Sequence, residues 1–460
     1  MSSDSVFLLP ERTRDAIAAL VHEVSRPYGD LPAAVRARLP VVLTDLLGVT
    51  VAGLRTPELR ALVAAWPAAP GPHLLPGSSV RSTPETIALL SADAACSQEL
   101  DEGNSHAAGH PAAHVVFAAV AAAQQAEHPV SGEVFLAAVA GGYEVAARFG
   151  HAVRRDPGWH THGHWGSTGA AYAAATILGA TPTQVEAAVD ASTGLMTVAP
   201  WDAVLAGDVT RNLWMGQANL AGLSAAHLAR ADLVVNRGGA AAALALLGEL
   251  DPDLLLDGLV LGGPGSRWLA AEGYLKQHAA CSYTHPAIDL VLRLRDDAGW
   301  TADDVAAIRV GIHSLAAPLL QRHPANRLAA MFSLPFAVST AAVSGAVTPA
   351  TMEPGTAAFV AAEAFSDRVS VEVVDELDRH LPARRVCEVT VELHDGRSWA
   401  LAQPGPIGDT AHFPLTDADL AAKLDALLGE DGYGARLLAA VARLHEVDDV
   451  VSALAMLPLG

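Results

Sequence analysis

Cysteine is scarce in this chain of 460 residues: Cys96, Cys281 and Cys387 lie far apart and form no paired ligand spacing. That argues against a disulfide scaffold and a thiolate metal site, and predicts three reduced thiols. Positive charge is also short. Twenty-nine Lys and Arg against fifty Asp and Glu give a formal net charge of −21, a sign that repels nucleic acid and anionic lipid. A small anionic substrate is still compatible, because a few cations converging in a cleft outweigh the global field locally. The opening MSSDSVFLLPERTRD has no basic lead before an apolar stretch, and no run of about 18 apolar residues free of charge and turn signals stands out. A cytoplasmic protein with no membrane or nucleic-acid partner is the expectation.

Nucleotide and nucleophile signatures are missing as well. There is no GxxxxGK[ST], no GxGxxG between a strand and a helix, and no GxSxG. No cofactor is expected, and acid–base chemistry by His, carboxylate, Lys and Arg is what the composition leaves.

Apolar residues, 51% of the chain, are plentiful, but many are alanines in tracts such as VVFAAVAAAQQAEH and AAYAAATILGA. Such tracts suit close-packed buried helices. From Leu31 to about Gly263 helical periodicity dominates, with starts such as TPTQVEAAVDAS, where Thr181 precedes Pro182. After LGGPGSRW the pattern changes. AAIRVGIHSLA (306–316) alternates, RVCEVTVELHDGRSWALAQ (385–403) predicts two strands joined by the turn HDGR, and MFSLPFAVSTAAVSG between them predicts helix. Thr416 is placed to cap DADLAAKLDALL, and helices continue to the end. The expected fold is mainly α: a large all-α domain built from both chain ends, residues 1–266 and 405–460, with a smaller α+β domain inserted over residues 267–404.

Three constellations could carry chemistry. In SQELDEGNSHAAGHPAAHVV (97–116), Glu99, Asp101, Glu102, Asn104, His106, His110 and His114 crowd one segment. Pro111 suggests a loop that ends at a helix start and brings His110 there, and nearby carboxylates can fix a histidine's tautomer and raise its basicity. The plain alternative is an acidic loop with His114 on a solvated helix face. In PGWHTHGHWGSTGAA (157–171), His160, His162 and His164 alternate, as in an H-x-H zinc pair on a strand. Pro157, Gly158 and Gly163 favour a loop instead, and without cysteine partners or an HExxH pattern a metal is not expected. The third set is cationic: Arg211 in DVTRNLWMGQAN, Lys276 in YLKQHAACSYTHPAID, and Arg237 as a weaker member. The run after Lys276 should cap the helix HPAIDLVLRLRD, whose first N–H groups could help hold a carboxylate; a lone cation otherwise means solvated surface.

In order, ELDEGNSHAAGHPAAHVV, GYEVAARFGHAV with GWHTHGHWGSTGAAYAAATILGAT, DVTRNLWMGQANLAGL and LKQHAACSYTHPAIDLVLRL resemble the MmgE/PrpD family, as does the later FSLPFAVSTAAVSG. That family includes 2-methylcitrate dehydratase, cis-aconitate decarboxylase and iminodisuccinate epimerase. The resemblance spans about residues 30 to 420. It implies an all-α domain from both chain ends, an inserted α+β lid, a homodimer, and a site between the domains that uses neither metal nor organic cofactor. By the same resemblance His160, His110, Lys276 and Glu99 are catalytic, and Arg211 binds substrate. His162 and His164 become neighbours. Two departures stand out. Arg211 replaces a lysine of the decarboxylase-type members, keeping charge but not proton transfer near neutral pH. In the acidic loop Glu99 is read as replacing a family aspartate, with one inserted residue; otherwise the loop is rebuilt and Asn104 takes a threonine's place. Asp101 and Asn104 are then substrate contacts.

The implied chemistry is proton abstraction beside a carboxylate or carbonyl of a small organic acid, by His160 or Lys276, with His110 as second acid oriented by Glu99 or Asp101. Dehydration by a lyase is the first expectation; epimerisation or isomerisation, decarboxylation, and a catalytically silent ligand-binding protein are the alternatives.

Overall fold

The computed structural model describes residues 3–66, 69–261 and 265–459; residues 262–264 of the loop after the first helical region lie outside the described residues. The protein is mainly α, 57% helical and 10% strand. Alanine and glycine shape the helical part because they let backbones approach. A Cβ on Gly169 would stand 2.1 Å from the Gly142 carbonyl oxygen, and one on Gly222 2.3 Å from Ala170 Cβ, so the helices Gly132–Ala152, Gly166–Ile177 and Thr210–Arg230 pack at distances that larger side chains would forbid. Starts follow from capping. Thr181 and Gln184 form a capping box, as do Thr416 and Asp419.

One hydrophobic core runs from Ala16 to Leu275 and resumes at Leu420, ending at Leu459. The helices Asp417–Leu428 and Tyr433–Ala442 lie on Ala33–Leu54, where a Cβ on Gly48 would meet Leu424 Cδ2 at 2.5 Å. Ala33–Leu54 is long and apolar enough by length and composition to cross a membrane, though interrupted by Pro40 and Asp45, but 78% of its apolar window is buried inside the protein. It is satisfied as a core helix.

A second core is built from Ala279 to Leu393. Its four strands lie in the order Val369–Val373, Val305–Ile312, Cys387–Leu393, Ser398–Gln403; the first pair is parallel and the others antiparallel. The strands expected around 306–316 and 385–403 are present, with the turn closed by Leu393 N–H donating to the Arg397 carbonyl. Val369–Val373 was not foreseen: it is a short edge strand with only Val369 fully buried. The helices His285–Ala298 and Leu334–Ser344 cover the sheet. Leu100, Trp201, Val204 and Trp214 come from the helical region yet join this second core. The two cores therefore meet around the acidic segment and the start of Thr210–Arg230.

Candidate active site

The helix Pro84–Cys96 ends just before the acidic segment. Glu99 then takes φ 53°, in the left-handed region that a glutamate rarely adopts. Its carboxylate is 1% exposed and is shared by the two cations that the sequence singled out: Arg211 Nη2 pairs with Oε1, and Lys276 Nζ donates to Oε2 at 2.7 Å. Arg211 also donates to the Cys96 carbonyl and Asn212 Oδ1, at 2.8 and 2.9 Å, and lies over the Phe332 ring. Leu100 is tied by its carbonyl to Lys423 Nζ at 2.8 Å, and Lys423 also pairs with Asp45 at 2.5 Å. A lysine from the C-terminal helices thus braces the segment that carries Glu99 and Asp101.

Asp101, fully buried, lies 3.6 Å from Lys276 Nζ and 3.2 Å from His110 Nδ1. Burial pushes its carboxyl up from the ordinary range. His110 is the N-cap residue of Pro111–Gln125, as Pro111 suggested, but its side chain does not cap. The ring turns back so that Nδ1 donates to the Glu102 carbonyl at 2.6 Å. Glu102 itself accepts from Ala112 N–H at 2.6 Å and from Tyr143 Oη at 3.0 Å; burial pushes its carboxyl up to about 8. Asn104 has its amide committed to the protein: Oδ1 accepts from His106 and Ala107 N–H, and Nδ2 donates to the Leu269 carbonyl. It shapes the loop. His106 is turned to Glu272 and Arg267 instead.

The loop of alternating histidines folds beside this segment. His160 stands edge-on to Trp201, at 4.6 Å between ring centroids, and near Phe332 at 5.9 Å. Its Nδ1 accepts a long 3.4 Å bond from His162 N–H. His162 occupies the middle, 4.2 Å from His160 and 5.2 Å from His110 between centroids, with Nε2 3.4 Å from Arg211 Nη2. His164 Nε2 donates to the His160 carbonyl at 2.6 Å. His114, far from a solvated helix face, is fully buried; Nδ1 donates to the His110 carbonyl and Nε2 accepts from Gly163 N–H. It fastens the two loops together. Among the described residues no group of three or more His, Cys, Asp or Glu is arranged to hold a metal ion. Burial lowers every one of these rings, to about 4 for His114 and about 3 for His164, and well below the ordinary value for His110, His160 and His162. They are neutral imidazoles at pH 7.

The second core adds residues that the sequence gave no reason to pick. Arg385, two residues before the strand Cys387–Leu393, lies over the rings of Tyr274 and Tyr283, 5.2 and 4.9 Å from their centroids. His313, just past the strand Val305–Ile312, stands edge-on to Tyr283 at 5.6 Å. The only signal for either was position at a strand end. Arg237 lies elsewhere: its backbone N–H donates to Asp190, beside a separate groove lined by Leu233 and Ala242. A larger groove of about 1250 Å³ runs along the acidic segment and is lined by Gln98, Leu100, Gln277, Asp289 and Lys423; neither Glu99 nor Lys276 lines it.

Buried carboxylates, paired cations and neutral histidines thus gather where the two cores of this mainly α protein meet. The model of the MmgE/PrpD N-terminal domain matches residues 15–249 and that of the C-terminal domain residues 278–443. The chain belongs to the MmgE/PrpD family, which is generally one of enzymes of dehydratase or lyase type. No curated protein matches it.

Proposed function

We propose that this chain is a cofactor-independent lyase that removes a proton beside a carboxylate or carbonyl of a small organic acid and eliminates water. The observation that carries the reading is the polarised His110. Its Nδ1 faces the Glu102 carbonyl and the Asp101 carboxylate, both acceptors, so the proton sits on Nδ1 and the neutral ring offers a lone pair at Nε2. That is the state of a general base. His160 is arranged in the opposite sense: Nδ1 accepts from His162 N–H, which favours the tautomer with its proton on Nε2. This exchanges the roles expected from the sequence.

In the proposed step His110 Nε2 takes the proton from carbon, the C–H electron pair forms the C=C bond, and the hydroxyl leaves as water with a proton from His160, which acts in the imidazolium form that a bound anionic substrate favours and is left as the neutral ring. His162, between the two rings, is placed to return a proton from His110 to His160. Lys276 and Arg211, held at fixed points by Glu99, are donors for the charge that develops on the activating oxygen. Glu99 organises them and does not touch the reacting carbon. Asp101 orients His110, and Asn104 supports the loop. In this reading the inserted region, expected from the sequence over residues 267–404 and centred on the second core from Ala279 to Leu393, acts as a lid over the seam, and the protein works in the cytoplasm as a homodimer, which sedimentation in solution checks.

Epimerisation uses the same pair of histidines: base and acid on either side of one carbon would exchange a proton without elimination. The test covers both reactions. Small hydroxy acids are incubated with the enzyme in D₂O, and deuterium at carbon and loss of water are followed. His110→Ala should lower exchange about 10²-fold or more; exchange within a few-fold of the parent would overturn the assignment of the base.

A further inference from the structure

Lys276 and Lys423 are the only lysines in the chain, and both grip one short segment. Lys276 Nζ reaches the carboxylates of Glu99 and Asp101. Lys423, on the helix Asp417–Leu428, donates to the carbonyl of the residue between them, Leu100, at 2.8 Å and to Asp45 at 2.5 Å, with its side chain 5% exposed.

The segment needs holding from outside. Glu99 sits at φ 53°, a conformation that costs about 1–3 kcal/mol and persists only where the surroundings over-determine it. Asp101 depends on the backbone still more. It is fully buried and neither carboxylate oxygen has a hydrogen-bond partner, so its place beside His110 and Lys276 is set by the chain that carries it. Leu100, the link between the two acids, is fixed twice: its side chain lies in the second core and its carbonyl on Lys423. Asp45 is buried on the helix Ala33–Leu54, and Lys423 is the cation paired with it. A buried carboxylate keeps such a partner in place, because separating the two would leave an uncompensated charge.

We propose that Lys423 is a positioning residue of the acid–base site: clamped between Asp45 and the Leu100 carbonyl, it sets the backbone that presents Glu99 and Asp101 to Lys276, Arg211 and His110. It touches no reacting atom. Its effect on turnover rests on the acid–base reading above, whereas its effect on the backbone does not. Donors moved out of register lose most where charge develops, so removing Lys423 lowers turnover more than apparent substrate affinity.

Lys423 and Leu100 line the groove of about 1250 Å³, which neither Glu99 nor Lys276 lines. A small amine can therefore enter the space that Lys423→Ala vacates without passing through the acid–base cluster. The variant loses three methylenes and an ammonium group, the shape of propylamine, and propanol is the uncharged control.

Backbone hydrogen–deuterium exchange of the full-length protein, read by mass spectrometry, is the first measurement. Lys423→Ala should exchange the amides of residues 99–104 about tenfold faster or more, and propylamine, but not propanol, should restore their protection in a saturable way. Leu424→Ala, the adjacent core residue, should lower the melting temperature yet leave those amides within about twofold of the parent. If Lys423→Ala does not fold, as circular dichroism would show, Lys423→Met, which keeps the aliphatic volume, carries this arm without the amine. Unchanged protection in the lysine variant, or an equal loss in Leu424→Ala, would overturn the proposal. The second measurement is turnover of the hydroxy acid that the parent deuterates: kcat should fall about tenfold or more with KM within about threefold, and propylamine should recover it. Full turnover with a loosened segment would overturn the positioning role and leave the acid–base reading standing. A parent that deuterates no hydroxy acid would sink that reading, and backbone exchange would still decide whether Lys423 holds the segment.

Discussion

Two walls of the site handle charge in opposite ways. On the helical side Arg211 and Lys276 share Glu99, and Lys423 ties the adjacent carbonyl and Asp45. On the side of the second core Arg385 stacks on tyrosines with no carboxylate partner among the described residues, and His313 is buried with neither ring nitrogen hydrogen-bonded. The first wall is satisfied by the fold and is ready before any ligand arrives. The second is incomplete by itself: Arg385 Nε and both ring nitrogens of His313 lack hydrogen-bond partners.

Breaking the satisfied wall should have the largest effect. Glu99→Gln leaves two buried cations without their carboxylate and should destabilise the protein by about 3–5 kcal/mol, measured by urea unfolding; a change below about 1 kcal/mol would mean that the pair is not the brace that its geometry indicates. The catalytic contrast comes next. His160→Ala should reduce turnover about 10²-fold by removing the proton donor, and Asp101→Asn roughly tenfold by removing the negative charge 3.2 Å from His110 Nδ1 that favours the protonated ring; equal losses in steady-state assays would argue against separate acid and supporting roles.

A pH titration of stability sharpens the contrast within the first wall. The histidines held low, His164 at about 3 and His114 at about 4, bind fewer protons folded than unfolded, so their stabilisation is present above the unfolded value near 6.5 and is lost as pH falls through the folded values. Glu102 has the opposite sign. Its carboxyl is raised from 4.5 to about 8, so the folded state binds the extra proton and stability declines as pH rises through that window. Above pH 6.5 only the Glu102 decline remains of these three, up to about 2 kcal/mol by pH 8. Glu102→Gln should flatten it in thermal melts at pH 6.5 and 8, and an unchanged slope would assign the decline to another group. The smallest effect belongs to the unsatisfied wall: Arg385→Met, which removes an uncompensated buried charge, should change stability by no more than about 1 kcal/mol or raise it, and a loss matching that of Glu99→Gln would erase the distinction between the walls.

Much of this architecture was legible in local pattern. The strands around 306–316 and 385–403 alternate with period two, the alanine tracts are buried helices, and Pro111 marks the helix that begins after His110. Glu99, His110, His160, Arg211 and Lys276 do gather at one place. Less legible was which contact each would make. Asn104 reads as a substrate contact until its amide is seen bonded to Leu269, His106 and Ala107. His162 reads as a bystander on a loop, but Gly163 at φ 85° turns the chain so that His162 lies between His160 and His110. His313 and Arg385 carry no motif at all.

The sequence by itself determined the helices, the main strands, the family and the residue types of the acid–base cluster, because these depend on spacing and on neighbours a few positions apart. Only the tertiary structure decided that one glutamate serves two cations, that His110 Nδ1 faces a backbone carbonyl, and that Arg385 stands, among the described residues, without a counter-ion. Those properties depend on which distant groups share a buried space, where desolvation makes every missing partner count.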